Sequence, residues 1–295
     1  MIRVDGTVLF RAAVVRLRRQ DPGADASQCR AYLAALEFAD PDAHARLVDA
    51  LLDELAVWLP VELYLQLPVI LPHVLRDNTC RKSTCSKHAK QSKGRVGEPR
   101  DAWSTPSPEG YVRDDNSLIK NLVSSLLVDS SGALANVRLG TNFVASHVWP
   151  MATAADPWLN SFVPNLVWLP RPLDLLSDRD GHIVQSMLRS RSMAMFKGST
   201  RAPEVTERLW RSSPRPTTVR SSRTLLNTFR VTSPWLRTRK RKVHDLAQLL
   251  GSRCNQTHGG HRSGHSHYDL HVADLEPPAI RPLAERLGEY ELLVR

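Results

Sequence analysis

The sequence predicts an α+β protein with a helical N-terminal region, a central stretch mixing strands with a helix, and a basic, partly disordered C-terminal extension. Three observations carry this expectation. Apolar residues recur at helical spacing between Tyr32 and Leu55. Strand-forming runs separated by turn residues occupy 134–170. Between Ile183 and Lys242 there are fifteen Lys or Arg against two acidic residues, Glu204 and Glu207. A chain of 295 residues can hold one large or two modest domains around a real core. Composition divides it into a helical region (1–76), a basic flexible linker (77–110), a central core (111–197) and a basic extension with short helices (198–295).

In the first region, Tyr32, Leu33 and Leu36 form one apolar stripe, and Ala43, Leu47, Leu51 and Leu55 form the next. Asp40-Pro41 between them reads as an N-cap followed by proline at the first helical position. Pro60, Pro68 and Pro72 break the apolar run from Val57 to Leu75, so broken helices are expected there. The helical region offers a surface for a protein partner or for a second copy of the chain.

From Asp77 the sequence is rich in Lys, Ser and Pro and poor in large apolar residues, so it cannot offset the entropy of ordering. Cys80, Cys85 and His88 lie in this linker, but without a fourth ligand nearby they do not complete a zinc pattern. Residues 116–128 carry a helical stripe of Leu118, Ile119, Leu122, Val123, Leu126 and Leu127 with Asp115 or Asn116 as cap. Leu134–Leu139 and Phe143–Trp149 read as two strands joined near Gly140, with the hairpin ending at His147. Ser177-Asp178-Arg179-Asp180 resembles a capping box for a helix over 182–196.

The formal net charge is +10 and the pI is about 9.8, which favours an anionic partner, nucleic acid ahead of membrane. Trp210, Phe229 and Trp235 lie among the arginines, followed by Arg237, Arg239, Lys240, Arg241 and Lys242. Such a surface suits phosphates and unstacked bases without reading sequence. Val243–Leu250 reads as a short amphipathic helix stopped by Gly251, and 279–293 as another helix. The tract from Cys254 through His258, His261, His265 and His267 invites metal, although its Gly and Ser favour adventitious binding over a built site. Four scattered cysteines suit a reducing compartment rather than a disulfide framework. The first residues lack a signal-peptide pattern and no window reads as a membrane span, so a soluble cytoplasmic protein is expected.

The chemistry-bearing residues converge on 139–178. His147 follows a β-branched, apolar run, and Asn165 opens a second one eighteen residues later. Phosphodiester hydrolysis needs a base to activate water, a divalent cation to offset developing charge, and a group that holds the base. His147 has the position of the base. Asn165 can hydrogen-bond either its own hairpin or the His ring.

Ser146-His147-Val148-Trp149-Pro150 resembles the His-Ile-x-Pro turn of the HNH or ββα-metal endonucleases, and Asn165-Leu-Val-Trp-Leu-Pro170 resembles their Asn-Leu-x-x-Leu strand. Leu176-Ser177-Asp178 is similar to the Leu-Thr-Asp segment of a bacterial subgroup with a His-Ile-Trp core. The resemblance spans about forty residues of the chain. It implies a ββα-metal core with His147 as general base, Asn165 as its support, and one metal held just before the His and again on the following helix. The family position on that helix is Asp174, with Asp178 a second candidate. Aspartate suits magnesium, or manganese, better than zinc. Ser146 stands where the family commonly has Asp or His, so Asn142, Asp156 or a water is expected to replace it unless the site is degenerate. Cys-x-x-Cys pairs of the zinc-stapled variant are absent.

The resemblance implies a magnesium-dependent endonuclease acting on DNA, with RNA not distinguished, in restriction or host defence. The rivals are a nucleic-acid-binding protein that retains a degenerate ββα module, and a helical interaction protein whose basic parts are merely solvated.

Overall fold

Asp40 ends one helix and begins the next: its backbone N–H donates to Leu36 and its side chain accepts from Ala43 N–H at 2.9 Å, with Pro41 at the first helical position. The structure, a computed structural model, describes residues 2–18, 25–70, 74–76, 112–114, 117–149, 159, 161–177, 182–198, 226–254, 281, 284–285 and 287–291. In chain order its strands are β1 (Arg3–Val4), β2 (Val57–Trp58), β3 (Val74–Arg76), β4 (Val112–Asp114), β5 (Leu127–Asp129), β6 (Arg138–Leu139), β7 (Phe143–His147), β8 (Leu166–Pro170) and β9 (Asn227–Arg230). The helices are α1 (Gly6–Arg18), α2 (Ala26–Ala39), α3 (Pro41–Leu55), α4 (Val61–Gln66), α5 (Ser117–Leu122), α6 (Arg171–Ser177), α7 (Ile183–Phe196) and α8 (Ser233–Cys254). The protein is thus mixed α+β, as expected. Among the described residues no helix is long and apolar enough to cross a membrane.

Two compact units interleave along the chain. One gathers Met1–Pro68, Ile119–Pro150 and Val163–Thr232; the other gathers Val69–Leu118, Met151–Phe162 and Ser233–Arg295. The boundaries near 76, 110 and 197 suggested by composition do not coincide with these units, because strand pairing joins stretches that differ in composition. Residues 77–110 lie outside the described residues.

The first unit is built on a five-stranded mixed sheet of order β5-β9-β2-β8-β7. β2 occupies its centre: Val57 and Trp58 pair with Trp168 and Val167 antiparallel on one side, and with Asn227 and Thr228 parallel on the other. Broken helices were expected here, yet Val57-Trp58-Leu59 is fully buried on both faces, which suits a central strand of any length. α1 packs against β8 and α6, and α3 packs against α7 and β9. Trp168 meets Phe229 edge to face at 5.0 Å, and Tyr64 meets Phe196 at 5.4 Å.

Several local expectations change. β7 does not pair with 134–139: β6 pairs in parallel with β1, and the hairpin partner of β7 is β8. Left-handed backbone at Asn136 (φ 57°) interrupts the strand expected over 134–139. The stripe expected as one helix over 116–128 divides into α5 and strand β5, whose Val128 N–H and C=O bond to Val137 and Asn136. The cap of α7 is His182 rather than a Ser177 box; Ser177 instead ends α6 and donates its hydroxyl to the Asp174 carbonyl at 2.7 Å. At the start of α1, a Cβ on Gly6 would lie 2.4 Å from the Asn142 carbonyl oxygen, so glycine is required by close backbone approach.

In the second unit β3 pairs with β4 in parallel. The C-terminal helical residues place Leu287 and Tyr290 in the interior, where Tyr290 hydroxyl accepts from Val69 N–H at 3.1 Å and donates to the Val69 carbonyl. α8 runs unbroken through Gly251, so the basic run and the expected short helix form a single element. A partly disordered basic extension with short helices was expected over 198–295; among its described residues stand a 22-residue helix and the sheet strand β9.

Candidate active site

The site is a strand, a strand and a helix folded back on each other. β7 pairs with β8 so that Ser146 lies opposite Val167 and His147 opposite Leu166. β8 is buried along its whole length, which explains its uninterrupted apolar sequence. α6 begins immediately after β8 and returns its first turn to β7. There Ser146 Oγ donates a hydrogen bond to the Asp174 carboxylate.

Asn165 ends a single tight turn, Val163–Asn165, just before β8 and is fully buried. Its side-chain Oδ1 accepts Trp149 N–H at 2.8 Å, and its backbone carbonyl accepts Val148 N–H at 3.0 Å. These two bonds fix the chain where it bends immediately after His147. Of the two roles open to Asn165 in the sequence, bracing the hairpin is therefore realised. α7 adds support: Arg189 Nε donates to the Val148 carbonyl at 3.3 Å, and Ser192 Oγ donates to the Pro164 carbonyl at 2.5 Å.

Ser146, His147 and Asn165 are 3 %, 4 % and 0 % exposed, whereas Asp174 is half-buried. Alternation along an extended strand aims neighbouring residues at opposite faces, and His147, still paired with Leu166, is the last residue of β7 before the chain bends. Ser146 was expected to be a poor metal ligand; in the structure its hydroxyl donates to Asp174. Asn142, weighed as its substitute, lies four residues back, in the turn before β7, about 13 Å of extended chain away, and its Nδ2 donates to Asp5 at 2.9 Å. Asp178 and Asp156 lie outside the described residues.

The nucleic-acid candidates lie on α8. Arg237, Arg241 and Lys242 are exposed, and Arg239 and Lys240 are half-buried. A turn of 100° per residue spreads these five charges round the helix. The Arg239 guanidinium stands 5.9 Å from the Trp235 ring centroid, within cation–π reach. Val243 and Leu246, on the following turn, are buried. Phe229, expected among the base-stacking aromatics, is 1 % exposed in the sheet and cannot serve; Trp210 lies outside the described residues.

A second group has no counterpart in the sequence motifs. Glu37 at the end of α2, His44 in the first turn of α3 and His182 before α7 place one ligand atom each within 4.8 Å of one another. These three could hold a metal ion. The expected tracts around Cys80, Cys85 and His88, and around His258 to His267, lie outside the described residues. Only the fold unites Glu37 and His44 with His182, so spacing alone could not have found them.

No protein-family model, curated protein or solved structure matches this chain.

Proposed function

We propose that the chain is a metal-dependent endonuclease of the HNH type that hydrolyses DNA phosphodiester bonds, with RNA as the other substrate the chemistry admits. The observation that carries this reading is the Ser146–Asp174 contact, which closes a strand-strand-helix unit beside His147. Asp174 and Ser146 offer oxygen donors, the set preferred by magnesium or manganese. Such an ion, when bound, offsets charge on the phosphate and on the leaving oxygen. Asp174 would be its carboxylate ligand, with Asp178 the further candidate on the sequence.

The neutral imidazole of His147 takes a proton from water as the water oxygen bonds to phosphorus; the bond to the leaving oxygen breaks and that oxygen takes a proton from solvent. Asn165 acts as a positioning residue, holding Val148 and Trp149 so that His147 keeps its place. The basic side chains of α8 bind the polyanion without reading its bases. Restriction of foreign DNA is the setting the family resemblance suggests. In this reading the wild-type chain nicks supercoiled plasmid with magnesium or manganese, and His147→Ala lowers the rate by about 10²–10⁴-fold. Plasmid cut by His147→Ala at the wild-type rate would sink the mechanism.

The burial of His147 favours a second reading: a nucleic-acid-binding protein that keeps the ββα unit as a structural part only. At 4 % exposure the ring meets a phosphodiester only after its neighbours move. Calorimetric titration with magnesium or manganese separates the two, because binding abolished by Asp174→Ala belongs to the endonuclease, and no such binding belongs to the structural module.

A further inference from the structure

Three side chains outside the hairpin carry a different chemistry. His44 and His182 are 2 % and 8 % exposed, and their rings meet edge to face with centroids 5.7 Å apart. His182 Nε2 lies 3.4 Å from Glu37 Oε1, and the Glu37 side chain is 30 % exposed. We propose that Glu37, His44 and His182 form a binding site for a divalent transition-metal ion of the zinc class, independent of the hairpin site.

The donor set argues for this class. Two imidazoles and one carboxylate make a recurrent zinc site with a fourth position left open, whereas magnesium and calcium prefer oxygen alone. Zinc bonds of about 2.0–2.2 Å require ligand atoms roughly 3.4 Å apart in a tetrahedral arrangement. The present separations, at most 4.8 Å, close to that by side-chain rotation about fixed backbones. Those backbones are held independently of any ion. Asp40 caps α3 one turn before His44, and Arg191 of α7 reaches Asp49 at 2.6 Å and Asp53 at 2.7 Å on α3. Rigid support of this kind keeps a ligand constellation from collapsing. The partly exposed Glu37 gives the ion a way in.

One competing role has to be displaced. His182 Nδ1 accepts Val184 N–H at 3.2 Å, so the neutral ring carries its proton on Nε2, facing Glu37. Zinc at Nε2 requires the other neutral tautomer, with the proton moved to Nδ1, so binding turns the acceptor of the Val184 N–H into a donor and loosens the cap of α7. Metal and cap are therefore in competition, and the competition supplies a readout that loose surface binding lacks.

The experiment uses the full chain with Cys80, Cys85 and Cys254 changed to Ser and His88, His258, His261, His265 and His267 changed to Asn, which removes the other thiol and imidazole tracts. Zinc is titrated against a chromophoric chelator, and cobalt is used as a visible-absorbing substitute. Expected are one ion per chain, cobalt bands of tetrahedral intensity, and faster hydrogen exchange at the Val184 amide on loading. His182→Asn keeps a capping oxygen, and Glu37→Gln keeps an acceptor for the His182 ring. Both are expected to stay folded by circular dichroism and to weaken zinc at least tenfold, a loss that even an outer-sphere change inflicts. His147→Ala is expected to leave zinc affinity unchanged. Zinc affinity unaltered in both His182→Asn and Glu37→Gln, or no stoichiometric binding at all, overturns the site.

Discussion

Ser146 on β7 donates its hydroxyl to the carboxylate of Asp174 on α6, joining two residues twenty-eight positions apart at the point where strand and helix meet. The bond ties the helix of the candidate site to the strand that delivers His147. Removing Asp174 leaves a buried hydroxyl without this acceptor, a loss worth about 1–3 kcal/mol. Asp174→Ala is therefore expected to lower the midpoint of urea unfolding and to abolish metal-stimulated cleavage. Ser146→Ala is expected to cost less stability, since the half-buried Asp174 carboxylate can turn to water.

Asn165→Ala deprives Trp149 N–H of its acceptor inside the protein. A stability loss of about 1–3 kcal/mol is expected, with faster hydrogen exchange confined first to the Trp149 amide. Exchange at Trp149 that stays as slow as in the wild type would show that the Asn165 side chain does not brace the turn.

Asp5 gives a pH-dependent stability. Burial, the largest influence on it, raises its pKa, but hydrogen bonds from Thr141, Val8, Asn142 and Thr7 together outweigh burial and leave it below the ordinary 3.8. A carboxyl with a depressed folded-state value stabilises the fold fully above its unfolded value and loses that contribution as pH falls through the folded one. The stability gap between wild type and Asp5→Asn is thus expected to be constant near neutrality and to narrow below about pH 3.8. Denaturant unfolding of both chains between pH 6 and 2 measures it; a gap that widens on acidification refutes the assignment.

Binding through α8 should be governed by counterions. Replacing Arg237, Arg241 and Lys242 with Ala is expected to weaken duplex DNA of any sequence alike. The slope of log affinity against log salt should become shallower by about 0.9 for each phosphate that these side chains neutralise in the wild type. DNA retention indifferent to salt in the wild type would remove the phosphate-driven role from this helix.

What could be read in the sequence was what depends on near neighbours. Asp40-Pro41 announced the α2–α3 boundary because capping is settled within three residues, and the apolar runs before His147 and after Asn165 announced strands β7 and β8. What escaped was decided by distant partners. Val57-Trp58 has no periodicity in two residues, and becomes a strand because β8 and β9 stand on either side. The pairing of β6 with β1 rather than β7 likewise depends on a segment more than a hundred residues away. His182 was read only as the start of a helix, since its capping bond and its two neighbours, Glu37 and His44, come from the folded chain.

The central position of β2 has a consequence for how this protein can be cut, and for how it folds. The stretch 111–197 holds β7, β8 and α6 but neither β2 nor β9, so excising it strips β8 of one neighbour and bares an apolar strand edge, the kind that recruits other chains. The catalytic candidates are therefore not a portable cassette. They depend on two residues contributed from position 57, and the sheet closes only when segments from the beginning, middle and later part of the chain have met, a topology of long-range pairings that folds slowly.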